Sequence, residues 1–125
     1  MKKPLKIKNL SIGERSKTFV IAEIGINHDG NFEKCKRLIK AASNCGADAV
    51  KIQLVNVHES YDKKTISFKE FKDKNFSDDQ LRDLKKYADK NKILFFATPG
   101  DIPSLKRLIK LKFEIIKISS GLSNN

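Results

Sequence analysis

The chain has 125 residues, of which 39% are hydrophobic and 33% are charged, and its formal net charge is +11. This balance is that of a folded domain with a hydrophobic core, and it argues against an intrinsically disordered chain. No apolar run approaches the length of a membrane-spanning helix, and the basic start lacks the apolar block of a signal peptide, so we expect a cytoplasmic protein without membrane contact.

A short alternating segment is followed by the first long apolar run. Residues 5–10 alternate apolar and polar side chains before a predicted turn at residues 11–14, which favours a capping hairpin or an edge strand within residues 1–17. Residues 18–24 (TFVIAEI) are almost continuously apolar, the pattern of a strand that is covered on both faces. Glu23 is the single charge in this run.

The rest of the chain alternates between helical and strand patterns. Helical periodicity predicts three helices, with N-caps at Asn31, Ser77 and Asp101. Apolar runs predict three more strands, at residues 47–53, 93–97 and 114–118. A polar connection of about 20 residues, 55–76, separates the second strand from the second helix, and its length is typical of a segment that covers an active site.

This alternation predicts a parallel α/β fold. Each of four successive strands carries a chemically capable side chain at or near its C-terminal end: Glu23, Lys51, Thr98 and Lys117. Catalytic groups of barrels come from these strand ends, whereas a dinucleotide-binding sheet needs a GxGxxG turn, which residues 23–30 lack. We therefore predict a partial (β/α)8 TIM barrel, with its first four βα units in residues 18–125 and the short hairpin in residues 1–17.

The two lysines and the threonine suggest an anion site. Right-handed crossovers bring the C-terminal ends of parallel strands to one side, so we expect Lys51, Thr98 and Lys117 to converge there. One lysine alone could extend to the rim as a solvated charge. Two lysines at corresponding positions, together with a hydroxyl, favour binding of a phosphate or a carboxylate.

Four motifs resemble, in their order and approximate spacing, the N-acetylneuraminate (sialic acid) synthase family, which includes synthases of legionaminic and pseudaminic acids. They are IAEIGINHDGN (21–31), GADAVKIQ (46–53), FFATPGD (95–101) and IIKISSG (115–121). The resemblance extends from about Phe19 to the end of the chain. It implies a metal-dependent condensation of phosphoenolpyruvate with N-acetylmannosamine or a related 2,4-diacetamido sugar, which gives a nine-carbon 2-keto sugar acid and releases phosphate.

The resemblance also implies roles for single residues. The family positions that contact phosphoenolpyruvate correspond here to Lys51, Thr98, Lys117 and Ser120. The positions expected at the sugar and metal end of the pocket correspond to Glu23, a candidate acid–base group, and to Asn27 and His28. The divalent metal of the family, Mn²⁺ or Mg²⁺, is bound by two histidines of later strands, so no metal ligand is predicted in this chain.

The chain departs from the family in two motifs and in length. Gly100 occupies a position where the family usually has phenylalanine, and Leu122 follows Gly121 where the family commonly has an acidic residue. A whole barrel needs about 250 residues. We therefore expect a fragment without its own activity, whose open sheet edges favour self-association as a homo-oligomer, most simply a dimer.

Other functions stay open at this point. One alternative is another barrel that uses phosphoenolpyruvate or a phosphosugar, and a second is a structural half-barrel that completes itself by dimerising. A third is a non-catalytic basic module that binds anions or nucleic acid. Because the lysines are scattered over predicted helix faces and do not form a stripe interleaved with aromatic residues, we favour a solvated surface over nucleic-acid binding.

Overall fold

The structure is a computed structural model that describes residues 3–123. An antiparallel hairpin comprises β1 (Leu5–Ile7) and β2 (Leu10–Ile12). A parallel sheet has the order β3-β4-β5 and comprises β3 (Ile21–Gly25), β4 (Ala49–Leu54) and β5 (Leu94–Pro99). The helices are α1 (Phe32–Asn44), α2 (Val57–Ser60), α3 (Ile66–Phe71), α4 (Asp78–Lys90) and α5 (Ile102–Lys110). The prediction of a parallel α/β fold is confirmed.

The hairpin turns earlier than its sequence suggested. Its strands are joined at Lys8 and Asn9, and Lys8 adopts the left-handed conformation, with φ of 51°. Two-residue hairpin turns need such positive φ values because their twist then matches that of the strands. The turn predicted at residues 11–14 is therefore misplaced, since β2 extends to Ile12 and a second turn follows at residues 13–16.

The helix N-termini follow from local sequence, and all three predicted N-caps are confirmed. The side chains of Asn31, Ser77 and Asp101 accept hydrogen bonds from backbone N–H groups in the first turns of α1, α4 and α5. At α4, Ser77 and Gln80 form a complete capping box, in which each side chain bonds to the backbone of the other residue. These caps satisfy N–H groups that a helix cannot bond internally.

The long polar connection is folded. It contains α2 and α3, whose apolar residues form a small cluster of their own around Val55, Val57 and Phe68. Asn75 closes the segment on itself, because its side-chain amide donates to the carbonyl of Val55 at 2.6 Å. The connection is therefore an ordered part of the surface above the C-terminal ends of the strands.

The main core lies between the parallel sheet and its helices. All six residues of β5 are buried, and so are five of the six in β4. Right-handed crossovers between strands in sequential order place α1 and α4 on the same face of the sheet. The opposite face carries the polar side chains described below together with apolar ones, because Phe96 pairs with Lys51 and Leu94 pairs with Ala49 in the register. None of the helices within residues 3–123 is both long and apolar enough to cross a membrane.

Of the four predicted strands, the last does not form and the first is shorter than its apolar run. Residues 114–118 form no strand, and their pairing with the sheet is a single bridge between Ile116 and Ala97. At the other edge, β3 begins only at Ile21, and Val20 and Ile21 are 47% and 45% exposed. The prediction that residues 18–24 are covered on both faces is wrong, because Val20 before the strand and Ile21 and Glu23 within it are exposed to solvent.

Candidate active site at the strand ends

Four polar side chains share one face of the parallel sheet. Residues paired across neighbouring strands project to the same side, and the register pairs Glu23 with Lys51 and Gln53 with Thr98. Because Lys51 and Gln53 are two residues apart on β4, both pairs face the same way. We call these four residues, Glu23, Lys51, Gln53 and Thr98, the mouth.

The mouth has two levels along the strands. Gln53 and Thr98 are each the last residue but one of their strand, whereas Lys51 lies near the middle of β4. Glu23 lies beside Lys51 on β3, just before a register shift between Glu23 and Gly25. The structure therefore places Lys51 deeper than the strand end.

Lys51 is a buried cation with an exposed partner. Its Nζ lies 2.9 Å from Oε2 of Glu23, and the lysine side chain is only 3% exposed whereas that of Glu23 is 61% exposed. A buried ammonium group needs an anion nearby, because its desolvation costs several kcal/mol. The possibility that Lys51 extends to the rim as a solvated charge is excluded by this burial. The carboxylate of Glu23 is therefore the solvent-exposed half of this ion pair.

The hydroxyl of Thr98 has no partner within the described part of the chain. Thr98 is buried, and its Oγ1 forms no hydrogen bond. An unsatisfied buried polar group costs about 1–3 kcal/mol, and such a group in a native fold calls for an explanation. A ligand oxygen bound between Thr98 and Lys51 would satisfy it.

Lys117 and Ser120 lie beyond β5, where the chain forms no regular strand. Both residues are exposed, and Ser120 opens a short 3₁₀ turn at Ser120–Leu122. The backbone N–H of Lys117 donates to the carbonyl of Ala97 at 3.2 Å, which places Lys117 at the level of Thr98 along the sheet. Their chain positions are thus close to the mouth, but their side chains are solvated.

His28 and Asn27 are separated from this group in different ways. Asn27 is exposed, whereas His28 is fully buried, with its ring tilted against that of Phe76 at a centroid distance of 4.5 Å. Burial lowers the pKa of His28 to about 4, so the ring is neutral at pH 7. Its Nδ1 accepts from the N–H of Gly30 at 3.0 Å, which leaves the proton on Nε2. A contact of His28 with the substrate stays a prediction.

The loop that contains His28 packs against the end of the polar connection. A Cβ at Gly30 would lie 2.0 Å from the carbonyl oxygen of Asp73, so the backbones approach here as only glycine allows. Gly30 also has a positive φ of 69°. The glycine and the histidine thus have a packing role that the spacing of the motif alone did not indicate.

Gly100 is explained by its neighbour Val55. A Cβ at position 100 would lie 2.7 Å from Cγ2 of Val55, so the valine already occupies the space next to Gly100. The backbone N–H of Gly100 also donates to the carbonyl of Leu54 at 2.8 Å. Glycine at position 100, where the family usually has phenylalanine, therefore leaves room for the side chain of Val55.

Two site residues were missed from the sequence. Gln53 could have been found, because it lies two residues beyond Lys51 and must share its face. Asp101 was predicted only as a helix cap, yet its carboxylate also bonds to Asn56 and Ser60. These partners lie more than 40 residues away along the chain, and no local pattern announces them.

The described residues do not by themselves fit a divalent metal. Within residues 3–123, no three or more His, Cys, Asp and Glu side chains are placed to hold a metal ion. The metal implied by the family resemblance stays a prediction, and no step of the chemistry below is derived through it.

Comparisons with known proteins agree on one family. The sequence model of the NeuB family matches residues 38–125. The human N-acetylneuraminate-9-phosphate synthase is 33% identical over 127 residues, which cover 91% of this chain and 35% of that protein. The N,N'-diacetyllegionaminic acid synthase of Campylobacter jejuni is 32% identical over 123 residues, which cover 87% of this chain and 37% of that protein.

A solved structure shows the same fold. The crystal structure of an N-acetylneuraminic acid (sialic acid) synthetase from Leptospira borgpetersenii, in complex with citrate, superimposes with a TM-score of 0.86 at 34% identity. The match covers 93% of this chain and 41% of that one. This chain thus spans about a third of the length of the two curated relatives.

Proposed function

The chain belongs to the NeuB family, and we propose that it supplies the phosphoenolpyruvate-binding part of the active site of a sialic acid synthase-type enzyme. One observation carries this proposal: Lys51 is buried beside the solvent-exposed carboxylate of Glu23, on the same face as the hydroxyl of Thr98, which has no partner among residues 3–123. An ammonium group and a hydroxyl donor are suited to the carboxylate and phosphate oxygens of phosphoenolpyruvate.

We propose that the sheet is the first part of a (β/α)8 barrel. Sequential strand order and crossover helices on one face suit a barrel wall, although half of a doubly wound sheet would share both features. The likeness to the Leptospira synthetase favours the barrel. The face of the sheet that carries the mouth would then be the barrel interior.

Three residues of the mouth and two of the neighbouring flank have distinct roles in this proposal. Lys51 and Thr98 donate hydrogen bonds to phosphoenolpyruvate, and Lys117 and Ser120 close on it from the neighbouring flank. Glu23, released from Lys51, faces the amino sugar and exchanges a proton with it as a general acid–base group. A carbon–carbon bond then forms between the two substrates, water supplies the keto oxygen, and phosphate leaves with cleavage of the carbon–oxygen bond.

The acceptor in this proposal is an N-acetylated amino sugar. The relatives include synthases named for N-acetylneuraminate-9-phosphate and for N,N'-diacetyllegionaminic acid. N-acetylmannosamine, its phosphorylated form and a 2,4-diacetamido sugar are therefore the acceptors to try. Asn27, exposed in the loop that follows β3, is a candidate contact for the acceptor. We place the reaction in the cytoplasm, where phosphoenolpyruvate is made.

Calorimetric titration with phosphoenolpyruvate tests the proposed function. We expect saturable binding to the wild-type chain and a loss of about tenfold or more in Lys51→Ala, because one charge-assisted contact contributes about 1.5–3 kcal/mol. The matched control is Lys36→Ala, which removes a lysine whose Nζ pairs with Glu33 on α1. Equal affinities in the wild type and in Lys51→Ala would exclude Lys51 from the site.

Turnover belongs, in this proposal, to a larger protein than residues 1–125. The described residues contribute neither a metal cluster nor the remaining wall that would exclude water from the mouth. We expect no phosphate release above background in a coupled assay with manganese, phosphoenolpyruvate and N-acetylmannosamine. Turnover by a monodisperse preparation of this chain would refute that expectation.

A further inference from the structure

The carboxylate of Asp101 makes more contacts than a helix cap requires. Its Oδ1 accepts from the backbone N–H of Ser104 at 2.7 Å and so caps α5. Its Oδ2 accepts from the backbone N–H of Asn56 at 2.5 Å and from the hydroxyl of Ser60 at 3.3 Å. An N-cap needs only one side-chain oxygen. The second oxygen therefore has a separate task, which is to join two connections that follow neighbouring strands.

This join lies just beyond the point where β4 and β5 stop pairing. The last pair in the register is Leu54 with Pro99, and the N–H of Gly100 still reaches the carbonyl of Leu54. The next contact is the one between Asn56 and Asp101. A side chain thus continues the connection between the strands where their backbone ladder ends.

The same contact fixes the start of α2. Asn56 is the N-cap residue of this four-residue helix, but its own side chain makes no capping hydrogen bond. Asp101, which follows the neighbouring strand β5, accepts a hydrogen bond from the N–H of Asn56. It also accepts one from the hydroxyl of Ser60 at the other end of α2. The helix is therefore tied at both ends to a single carboxylate.

The position of α2 shapes a cleft between this helix and the turn at Ser120–Leu122. The cleft has a volume of about 520 Å³, and one of its walls comprises Glu59, Ser60 and Tyr61. The other side includes Ser119 and Gly121, the two neighbours of Ser120 in the chain. Any shift of α2 changes the width of this cleft.

We propose that Asp101 is a positioning residue, which holds α2 at a fixed distance from the turn at Ser120 and thereby shapes the cleft for phosphoenolpyruvate. The ligand named here rests on the proposed function, whereas the hold of Asp101 on α2 does not. Asp101 itself borders the cleft, and in this proposal it acts through its bonds to Asn56 and Ser60.

Asp101→Ser separates the two tasks of the carboxylate. Serine is as good an N-cap as aspartate, but its single hydroxyl is too short to reach Asn56 while it caps α5. In the variant we expect amide hydrogen exchange at Asn56 to become about tenfold faster, while exchange at Ser104 stays within about twofold. We expect the affinity for phosphoenolpyruvate to fall about fivefold. This is the size of effect that the loss of one hydrogen bond has on a binding equilibrium.

Ser77→Ala is the matched control. It removes the N-cap of α4, away from the cleft, and should lower stability while leaving both the affinity for phosphoenolpyruvate and the exchange at Asn56 unchanged. This separates an effect of α2 from a general loss of stability.

The outcomes are distinct. Unchanged exchange at Asn56 in Asp101→Ser would overturn the proposal, and so would faster exchange with unchanged affinity, because Asp101 would then be a structural tie only. If the wild-type chain binds no phosphoenolpyruvate, the proposed function fails. Faster exchange at Asn56 with unchanged exchange at Ser104 would still support the hold of Asp101 on α2.

Discussion

Two lysine-bearing segments of similar sequence have very different structures. AVKIQ in β4 and IIKIS at residues 115–119 both place a lysine between apolar residues. The first is the central strand of the sheet, and its Lys51 is almost fully buried. The second makes one bridge to β5, and its Lys117 is exposed. The environment of each lysine is therefore set by the number of neighbouring strands.

This difference explains why, among residues 3–123, Lys51 has an ion-pair partner and Lys117 has none. β4 has a neighbour on each side, and β3 brings Glu23 to Lys51. Residues 115–119 have β5 on one side only, and Ile118 in the same segment is 70% exposed. The experiments below compare the packed part of the sheet, β3 to β5 and the segments buried against it, with the open flank at residues 115–122. They start with the largest effect that we expect.

The largest difference should come from two isoleucines in one row of the sheet. Ile52 pairs with Ala97, and Ala97 is bridged to Ile116. Ile52 is fully buried, so Ile52→Ala should lower the free energy of unfolding by about 2–5 kcal/mol. Ile116→Ala, in a partly buried position, should lower it by about 1 kcal/mol. Urea denaturation of both variants measures the difference, and equal losses would contradict the comparison.

The packed part of the sheet should also make the free energy of unfolding depend on pH, through the buried His28. The pKa of His28 is lowered from 6.5 to about 4 by burial, so the unfolded chain binds a proton first as the pH falls. Stability should be at its full value above pH 6.5 and fall by about 1.4 kcal/mol per unit between pH 6.5 and 4. Urea denaturation as a function of pH measures this slope.

Substitution of each histidine assigns that slope. His28→Asn keeps an acceptor for the N–H of Gly30 and should flatten the pH dependence over this range. His58→Asn, on α2, should keep it. A slope that survives in His28→Asn would assign the effect to other groups.

Two glycines offer a smaller contrast. Gly100→Ala places a methyl group against Val55 and should lower the free energy of unfolding by about 1–3 kcal/mol. No atom of residues 3–123 lies within 4 Å of a Cβ added at Gly121, so Gly121→Ala should change stability by less than about 0.5 kcal/mol. Thermal unfolding measures both. The contact with Val55 is tested by Gly100→Ala in a Val55→Ala background, where the added cost should shrink.

The smallest effect on stability is expected at Ile118. This exposed side chain lines an apolar groove with Ile102 and Leu122, at the flank where the sheet has only a bridge. We expect the chain to self-associate there, because exposed apolar edges favour contact with a second copy. Ile118→Lys should leave the free energy of unfolding unchanged and weaken self-association in sedimentation equilibrium. Unaltered self-association would place the contact elsewhere, and Val20→Lys at the opposite edge would locate it.

Features encoded in neighbouring residues could be predicted from the sequence. Asn31, Ser77 and Asp101 cap helices through bonds that span three residues, and the apolar run of β5 identifies a strand on its own. Parallel register then brings Glu23 beside Lys51, since both lie at matching positions in their strands. The local pattern did not reveal what depends on distant neighbours.

The failures share that cause. The run at residues 114–118 has strand composition, yet composition cannot tell whether a partner is present on each side. The burial of His28 depends on Phe76, and the second task of Asp101 depends on Asn56. Such long-range contacts require the tertiary structure.

Nuclear magnetic resonance during a titration with phosphoenolpyruvate tests the central claim most directly, because it reports where the ligand binds. We predict saturable shift changes at Lys51, Gln53 and Thr98, followed by smaller ones at residues 117–120. Shift changes confined to surface lysines of α4, such as Lys85, Lys86 and Lys90, with the mouth unaffected, would contradict the account and identify binding as nonspecific attraction to a basic surface.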